Sequence, residues 1–425
     1  GVYAALDALR TGKIVALKGV GGYQLLVDAT DELAVDRLRE RKHRSAKPLA
    51  VMAESMKTAQ RLAHLDAAEQ NALSSAANPI VLLNSKGDDK LAPAVHPGLD
   101  CLGVMLPTTP LHALIARDFG RPLVCTSGND DGIPLCYDQV QAEIELADVC
   151  DLWLHHDRPI ERPIDDSVVR VIAGRPVTIR LARGLAPLPL DVATEECALA
   201  LGGHLKAAAA WSNGRQAVLG PHAGDFESLP ARERYVEQLA AWQDLYRFQP
   251  THLVHDLHPE YFTTVWAEGQ QLPGLADQHH HAHVVTGMLE HGWLDRTVMG
   301  VAWDGVGYGP DNTIWGGEFL IATATGYQRF ARLRPFRLLG GDRCVREPWR
   351  TAAALIADAC GKEQVAAEIS ADQIGAAASH LESLLSMRSA EQFAPWTSSA
   401  GRLCDAAAHI ILGVNDAKFE GHAPM

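Results

Sequence analysis

The chain has 425 residues, 47 % hydrophobic and 21 % charged, with a formal net charge of −14. That length suits about two to three domains, and the balance is that of a soluble globular chain with a full core. The acidic surplus runs against a nucleic-acid binder, which carries a basic one, so a nucleic-acid partner is not expected.

No apolar run approaches the roughly 20 residues of a membrane helix. The opening Gly1 to Leu6 lacks a basic segment leading into an apolar stretch, so no signal peptide is expected. The start at Gly1 rather than Met reads as an excised or processed chain. The eight cysteines are scattered without a C-x-x-C pair. This predicts free, buried thiols in a cytoplasmic protein rather than a zinc finger or a disulfide framework.

In chain order, Ile14 to Leu17 reads as a short strand entering the turn Lys18 to Gly22. Asp31 to Arg44 reads as a helix with Asp31 as N-cap and Leu33, Val35 and Leu38 on its apolar face. Ile80 to Leu83 and Pro122 to Cys125 read as buried strands, and the alternation implies an α/β domain. The Pro-rich stretch Leu185 to Leu190 reads as a linker, dividing the chain into domains 1–188 and 189–425. A new strand is expected over Ala198 to Leu201, then a hairpin turning at Asn213-Gly214 between 207–211 and 216–219. Glu227 to Phe248 reads as a helix. Thr251 to His255 and Val298 to Trp303 read as strands ending at Asp256 and Asp304.

Arg39 to Lys47 places five Lys and Arg residues in nine positions. Alone, this fits a solvated helix end, where cations suit the C-terminal dipole. It fits equally a triphosphate clamp, since Arg offers forked donors and Lys a point charge. Thr126-Ser127-Gly128-Asn129 follows an apolar strand, putting hydroxyl and amide groups at a strand's carboxyl end, where α/β sheets bind ligands. Asp165-Asp166 is either a capped turn or a Mg²⁺ or substrate contact.

Taken together, Lys42-His43-Arg44 and Ser127-Gly128-Asn129 resemble the YrdC-like family of ATP-dependent acyl-adenylate synthases, with a twisted open sheet. Lys18 to Gly22, Lys47 to Met52 and Arg180 to Gly184 agree, and the resemblance covers about residues 1–190. It implies attack of a carbamate-type carboxylate on the α-phosphate of ATP, giving an acyl-AMP and pyrophosphate. Lys42 and Arg44, with Mg²⁺, supply the charge neutralisation such a step needs. The implied nucleotide contacts are Lys18, Lys42, Arg44, Lys47, Ser127, Asn129, Arg180 and Arg183, with Lys206 and Asp405 from the second domain.

Gln278 to His283 holds four histidines in five positions and continues as a helix. His279 and His283 are four apart, so both imidazoles leave one helix face. Neutral imidazole suits Zn²⁺ or Fe²⁺. Asp304, beside the Gly-rich run Gly305 to Gly309, is expected as a third metal ligand or as a phosphate contact.

The histidine cluster, Asp304 and the opening Leu201 to Lys206 resemble the carbamoyltransferase domain of HypF-type proteins, of the actin-like, sugar-kinase-like ATPase superfamily. Asp256 to Tyr261, Trp315 to Glu318, Pro348 to Arg350 and Gly401 to Ala406 fit that branch. The resemblance implies a chain of reactions in nickel–iron hydrogenase maturation. Carbamoyl phosphate yields carbamate, the first domain forms carbamoyl-AMP, and the second passes the carbamoyl group to the C-terminal cysteine of a HypE-type acceptor. The family's acylphosphatase part, its C-x-x-C zinc fingers and a late second-lobe Asp have no counterpart here. The second lobe is therefore read as incomplete and the chain as a fragment or short homologue. Two alternatives share these motifs: a threonylcarbamoyl-adenylate synthase and transferase of tRNA modification, and a non-catalytic nucleotide-binding scaffold of the maturation complex.

Overall fold

The computed structural model describes residues 1–87, 91–130, 132–369, 378–419 and 421–423. Contacts divide the chain into two compact units, Gly1–Thr251 and His252–Met425, both mixed α/β.

The first unit is built on a ten-stranded mixed sheet. Its central strands Val15–Lys18, Tyr23–Asp28, Val51–Met52 and Leu123–Ser127 are nearly continuous apolar runs, because helices cover both faces. Alternate residues feed two different cores, as the two-residue period of a strand requires. Tyr23, Leu25, Val27 and Val124 pack on one side with the helices Glu32–Arg41, Met56–Leu62 and Ala67–Leu73. Leu17, Leu26, Leu123 and Cys125 pack on the other with Val2–Arg10 and Pro110–Phe119. Glu32–Arg41 is capped by Asp31, whose side chain accepts from the backbone N–H of Ala34.

Two expectations on this stretch are corrected. Leu33 is exposed, and Ala34, Val35 and Leu38 form the buried face. The helix also stops at Arg41, because His43 takes a left-handed backbone (φ 51°) that a helix cannot continue.

The first unit also contains an antiparallel sheet of Leu188–Leu190, Ala217–Gly224, Ala207–Ser212 and Ala198–Ala200. The hairpin turns where expected: Asn213 Oδ1 accepts from the N–H of Arg215 and Gln216, and Gly214 has φ 75°. Leu188–Leu190, read as linker, is a short strand paired to Ala217–Leu219. Trp211 stacks on Trp242 of the helix Leu229–Tyr246, with ring centroids 5.2 Å apart.

In the second unit, His252–Asp256 and Gly274–Asp277 pair in parallel, and Gln278 caps the helix His279–Glu290. A five-stranded sheet is centred on Ile314–Thr323. Its neighbour Val298–Tyr308 runs straight through Asp304 with a register shift between Trp303 and Gly307. Asp304 therefore sits within an irregular strand, not at a strand's end. Gly305 and Gly307 lack the positive φ of a tight turn. Instead, a Cβ on Gly307 would lie 2.3 Å from the His280 ring. Among the described residues, no helix is long and apolar enough to cross a membrane. All eight cysteines are free, as expected, but only Cys125, Cys136, Cys150 and Cys344 are buried.

Glu318 ties this unit together from a fully buried position. It accepts from Arg329 Nε (2.6 Å), from the N–H of Gly316 (3.2 Å) and from the Ser398 hydroxyl. The Arg329 guanidinium also lies 3.9 Å from the centre of the Trp315 ring. Removing one partner of a buried ion pair costs about 3–5 kcal/mol. Glu318→Ala is expected to lose stability on that scale in urea unfolding, and a loss below about 1 kcal/mol would contradict this role.

Candidate functional site

The second unit assembles its site from three elements. Asp256 ends the strand His252–Asp256, His279 and His283 lie on the first turns of the capped helix, and Asp304 comes from the irregular strand. One ligand atom from each of His279, His283 and Asp304 lies within 4.8 Å of the other two. The His279 and His283 rings meet edge to face, with centroids 4.8 Å apart. The i, i+4 spacing thus does place both imidazoles together, beside the carboxylate.

Asp256, to which sequence reasoning gave no role, orients this set. Its Oδ2 accepts from His279 Nδ1 at 2.8 Å, while its Oδ1 accepts from the N–H of His258. With Nδ1 carrying that proton, a neutral His279 offers Nε2, which lies 3.2 Å from Asp304 Oδ2. A carboxylate behind a ligating histidine fixes its tautomer and raises its basicity. The signals in the sequence were an Asp at a strand end and its place in the Asp256 to Tyr261 motif; the contact itself spans 23 positions.

The Asp304 segment is held from behind, where buried Ser399 donates to the carbonyl of Gly305 (2.6 Å). His281 is a core histidine with both ring nitrogens engaged, by Asp277 (3.0 Å) and the carbonyl of Thr323 (2.9 Å).

The donor set of two imidazoles and a carboxylate suits a divalent ion and leaves coordination positions open. Asp304 Oδ2 is buried and faces His279 Nε2 at 3.2 Å, where an ion would take the place of the shared proton.

The charges are strongly coupled. Burial works against a charged His279, but hydrogen bonding with Asp256 and Asp304 outweighs it and lifts the imidazolium to about 9. Burial works against the Asp304 carboxylate too, but His279 holds it down at about 2.

In the first unit, Lys42, Ser127 and Asn129 come together. The Lys42 side chain is buried, and Nζ donates to the carbonyls of Ser127 (2.7 Å) and Asn129 and to Asn129 Oδ1 (2.8 Å). Ser127 Oγ donates to Asn129 Oδ1 (2.6 Å). Lys42 is thus not a solvated helix-end cation. It anchors the loop after the central strand. Arg44 reaches the carbonyls of Lys47 and Pro48.

A small pocket is walled by Gln24, Thr108, Ser127, Asp165, Asp166 and Arg183. Asp166 accepts from Gln24 (2.6 Å) and Arg183 Nε (2.7 Å), so both its oxygens are engaged. Lys18 is directed to the carbonyl of His156 (3.3 Å). Arg180 ends the outermost strand of the large sheet. Lys206 lies in the antiparallel hairpin region, its backbone N–H on Asp225 (2.6 Å). Asp405 belongs to the second unit, buried 3.0 Å from Arg402.

Family models divide the chain differently from the contacts, since the model over 193–290 crosses the boundary at Thr251. The Sua5/YciO/YrdC family model, described as "Telomere recombination", matches residues 7–182. The "HypF Kae1-like domain" model matches 193–290, and "Carbamoyltransferase, Kae1-like Domain, second subdomain" matches 300–425. The chain is 43 % identical to carbamoyltransferase HypF of Synechocystis, over 99 % of this chain and 57 % of that protein. To the HypF of Rhodobacter capsulatus it is 39 % identical, with the same shares covered. A crystal structure of full-length HypF in a phosphate- and nucleotide-bound form superposes with TM-score 0.94 at 36 % identity, covering 100 % of this chain and 66 % of that one. HypF of T. kodakarensis gives 0.90 at 30 % identity, covering 99 % and 56 %.

Fold and site define a YrdC-type module joined to a Kae1-like module. The chain belongs to the HypF carbamoyltransferase family. It spans little more than half the length of the curated relatives it matches.

Two outcomes are expected of this site. An incoming ion must displace the His279 proton, which is held up to about pH 9. Affinity for a divalent ion should therefore keep rising with pH up to about 9, rather than levelling near the usual histidine value of about 6.5. Titration with Co²⁺ at stepped pH checks this, and a plateau below pH 7 contradicts it. Asp256→Asn is expected to weaken binding by about 10- to 100-fold; equal affinity in that variant would remove Asp256 from the site.

Proposed function

We propose that this chain carries the adenylating and transferring modules of an ATP-dependent carbamoyltransferase acting in nickel–iron hydrogenase maturation. The observation that carries this reading is the convergence of His279, His283 and Asp304 in a Kae1-like module that follows a YrdC-type one.

In the first step a carboxylate oxygen of carbamate, derived from carbamoyl phosphate, attacks the α-phosphate of ATP, and pyrophosphate leaves as carbamoyl-AMP forms. The loop Ser127 to Asn129 presents a hydroxyl and an amide at the end of a strand whose side chains pack on both faces. The buried Lys42 ammonium fixes that loop and brings positive charge behind it. A relative described as nucleotide-bound supports a nucleotide role. Both Asp166 oxygens are engaged by Gln24 and Arg183, so that carboxylate is not open to Mg²⁺, which would accompany the triphosphate.

In the second step the thiolate sulfur of a HypE-type C-terminal cysteine attacks the carbamoyl carbon and AMP leaves. The acceptor supplies the nucleophile, so no cysteine of this chain is needed for it. His279, His283 and Asp304 would hold Zn²⁺ or Fe²⁺, which supplies Lewis acidity toward a carbonyl oxygen. Asp256 orients His279 throughout.

ATP–pyrophosphate exchange distinguishes this reading from its rivals. Exchange dependent on carbamoyl phosphate or carbamate supports it, exchange dependent on threonine and bicarbonate supports tRNA modification instead, and nucleotide binding without exchange supports a scaffold. Arg44→Ala is expected to weaken ATP binding by about 1–3 kcal/mol, the scale of a lost charged hydrogen bond. Unchanged affinity by calorimetry would remove Arg44 from the ATP site.

A further inference from the structure

His280 is the most buried ring of the histidine cluster, and its neighbours decide which nitrogen carries its proton. Gln278 Oε1 accepts from the backbone N–H of His280 (2.8 Å) and His281 (3.0 Å). Backbone N–H groups only donate, so this end of the amide must be the oxygen. The other end is therefore the NH2, which donates to the carbonyl of Tyr308 (3.1 Å) and faces His280 Nδ1 (3.1 Å). Facing a donor, Nδ1 must be the bare acceptor nitrogen, and the proton of neutral His280 lies on Nε2.

Asp304 is the carboxylate beside that nitrogen. His280 Nε2 is buried without a hydrogen-bond partner and lies 3.8 Å from Asp304 Oδ2, which also faces His279 Nε2 at 3.2 Å. Leaving a buried donor unmade is costly, which favours approach of this N–H to the carboxylate. The ring can stand there only because position 307 is glycine; a Cβ would come within 2.3 Å of its Cε1.

We infer that His280 is a positioning residue for Asp304: its Nε2–H, locked by Gln278, steadies the Asp304 carboxylate toward His279 and His283 and is not itself an ion ligand. This rests on the reading that His279, His283 and Asp304 hold a divalent ion. The four histidines then divide three ways, with two ligands, one positioning donor and one core residue.

The test uses Co²⁺ alone as the probe, with affinity read by competition against a chromophoric chelator and geometry by the visible absorption of the bound ion. His280→Phe, which keeps ring volume and removes the donor, is expected to bind Co²⁺ about 10- to 100-fold more weakly. His280→Gln, whose amide restores an N–H, should recover most of that loss. Nitrogen-15 NMR of the wild-type chain should show the Nε2–H tautomer for His280 with and without Co²⁺. Equal affinity in the folded His280→Phe chain, an Nδ1–H tautomer, or a Co²⁺-shifted His280 Nε2 would each overturn the inference. A wild-type chain that binds no Co²⁺, or binds it undiminished when His279 and His283 are both replaced by Ala, overturns the metal reading beneath it instead.

Discussion

One imidazole clasped between two carboxylates sets the second unit's site. His279 meets Asp256 through Nδ1 and Asp304 through Nε2, and the two acids arrive from strands far apart in sequence. Each carboxylate is costly to bury alone, and breaking such a pair leaves an uncompensated charge. A shared imidazolium resolves both costs at once. The ligands are thereby held near one another by their own electrostatics, and little rearrangement separates the proton-bridged state from an ion-bound one.

The first unit solves a different problem. Its central strands are buried on both faces, so polar chemistry has room only where the chain leaves the sheet. Ser127 and Asn129 stand at that exit, and Lys42 is spent on fixing them. A buried ammonium with three oxygen partners is a rigid element of the loop. The loop's shape is thereby fixed by a buried cation rather than left to solvent.

Some of this was legible in the sequence, for identifiable reasons. Val15–Lys18 and Leu123–Ser127 were readable as continuous apolar runs, and Asn213-Gly214 announced its hairpin. The His279 and His283 pairing follows from helix geometry alone. Leu188–Leu190 was misread because a proline suggests linker, yet Pro189 is tolerated in a strand at the sheet's edge. Lys42 was ambiguous because a cation at a helix end ordinarily meets water. Its burial depends on a strand exit 85 positions away. Asp256 and His280 escaped notice for the same reason, since their roles exist only through partners brought in by the fold. The glycines after Asp304 read only as a Gly-rich run beside a metal ligand or phosphate contact. Gly307 is instead where the His280 ring needs a backbone without a Cβ.

Charge counting gives the proposed divalent ion a reason to enter this pocket. Asp256 and Asp304 contribute two negative charges and the bridging His279 one positive, so the proton-bridged cluster carries a net deficit of one. His280 does not repair this deficit. Burial and the neighbouring His279 charge push its imidazolium down to about 4, so it stays neutral at ordinary pH. Exchanging the His279 proton for a doubly charged ion would bring the two-carboxylate cluster to neutrality while His280 stays uncharged. A monovalent cation in the same place leaves the deficit as it was. Preference for a divalent ion thus follows from burial and charge balance, before any preference of nitrogen ligands for a particular metal comes into play.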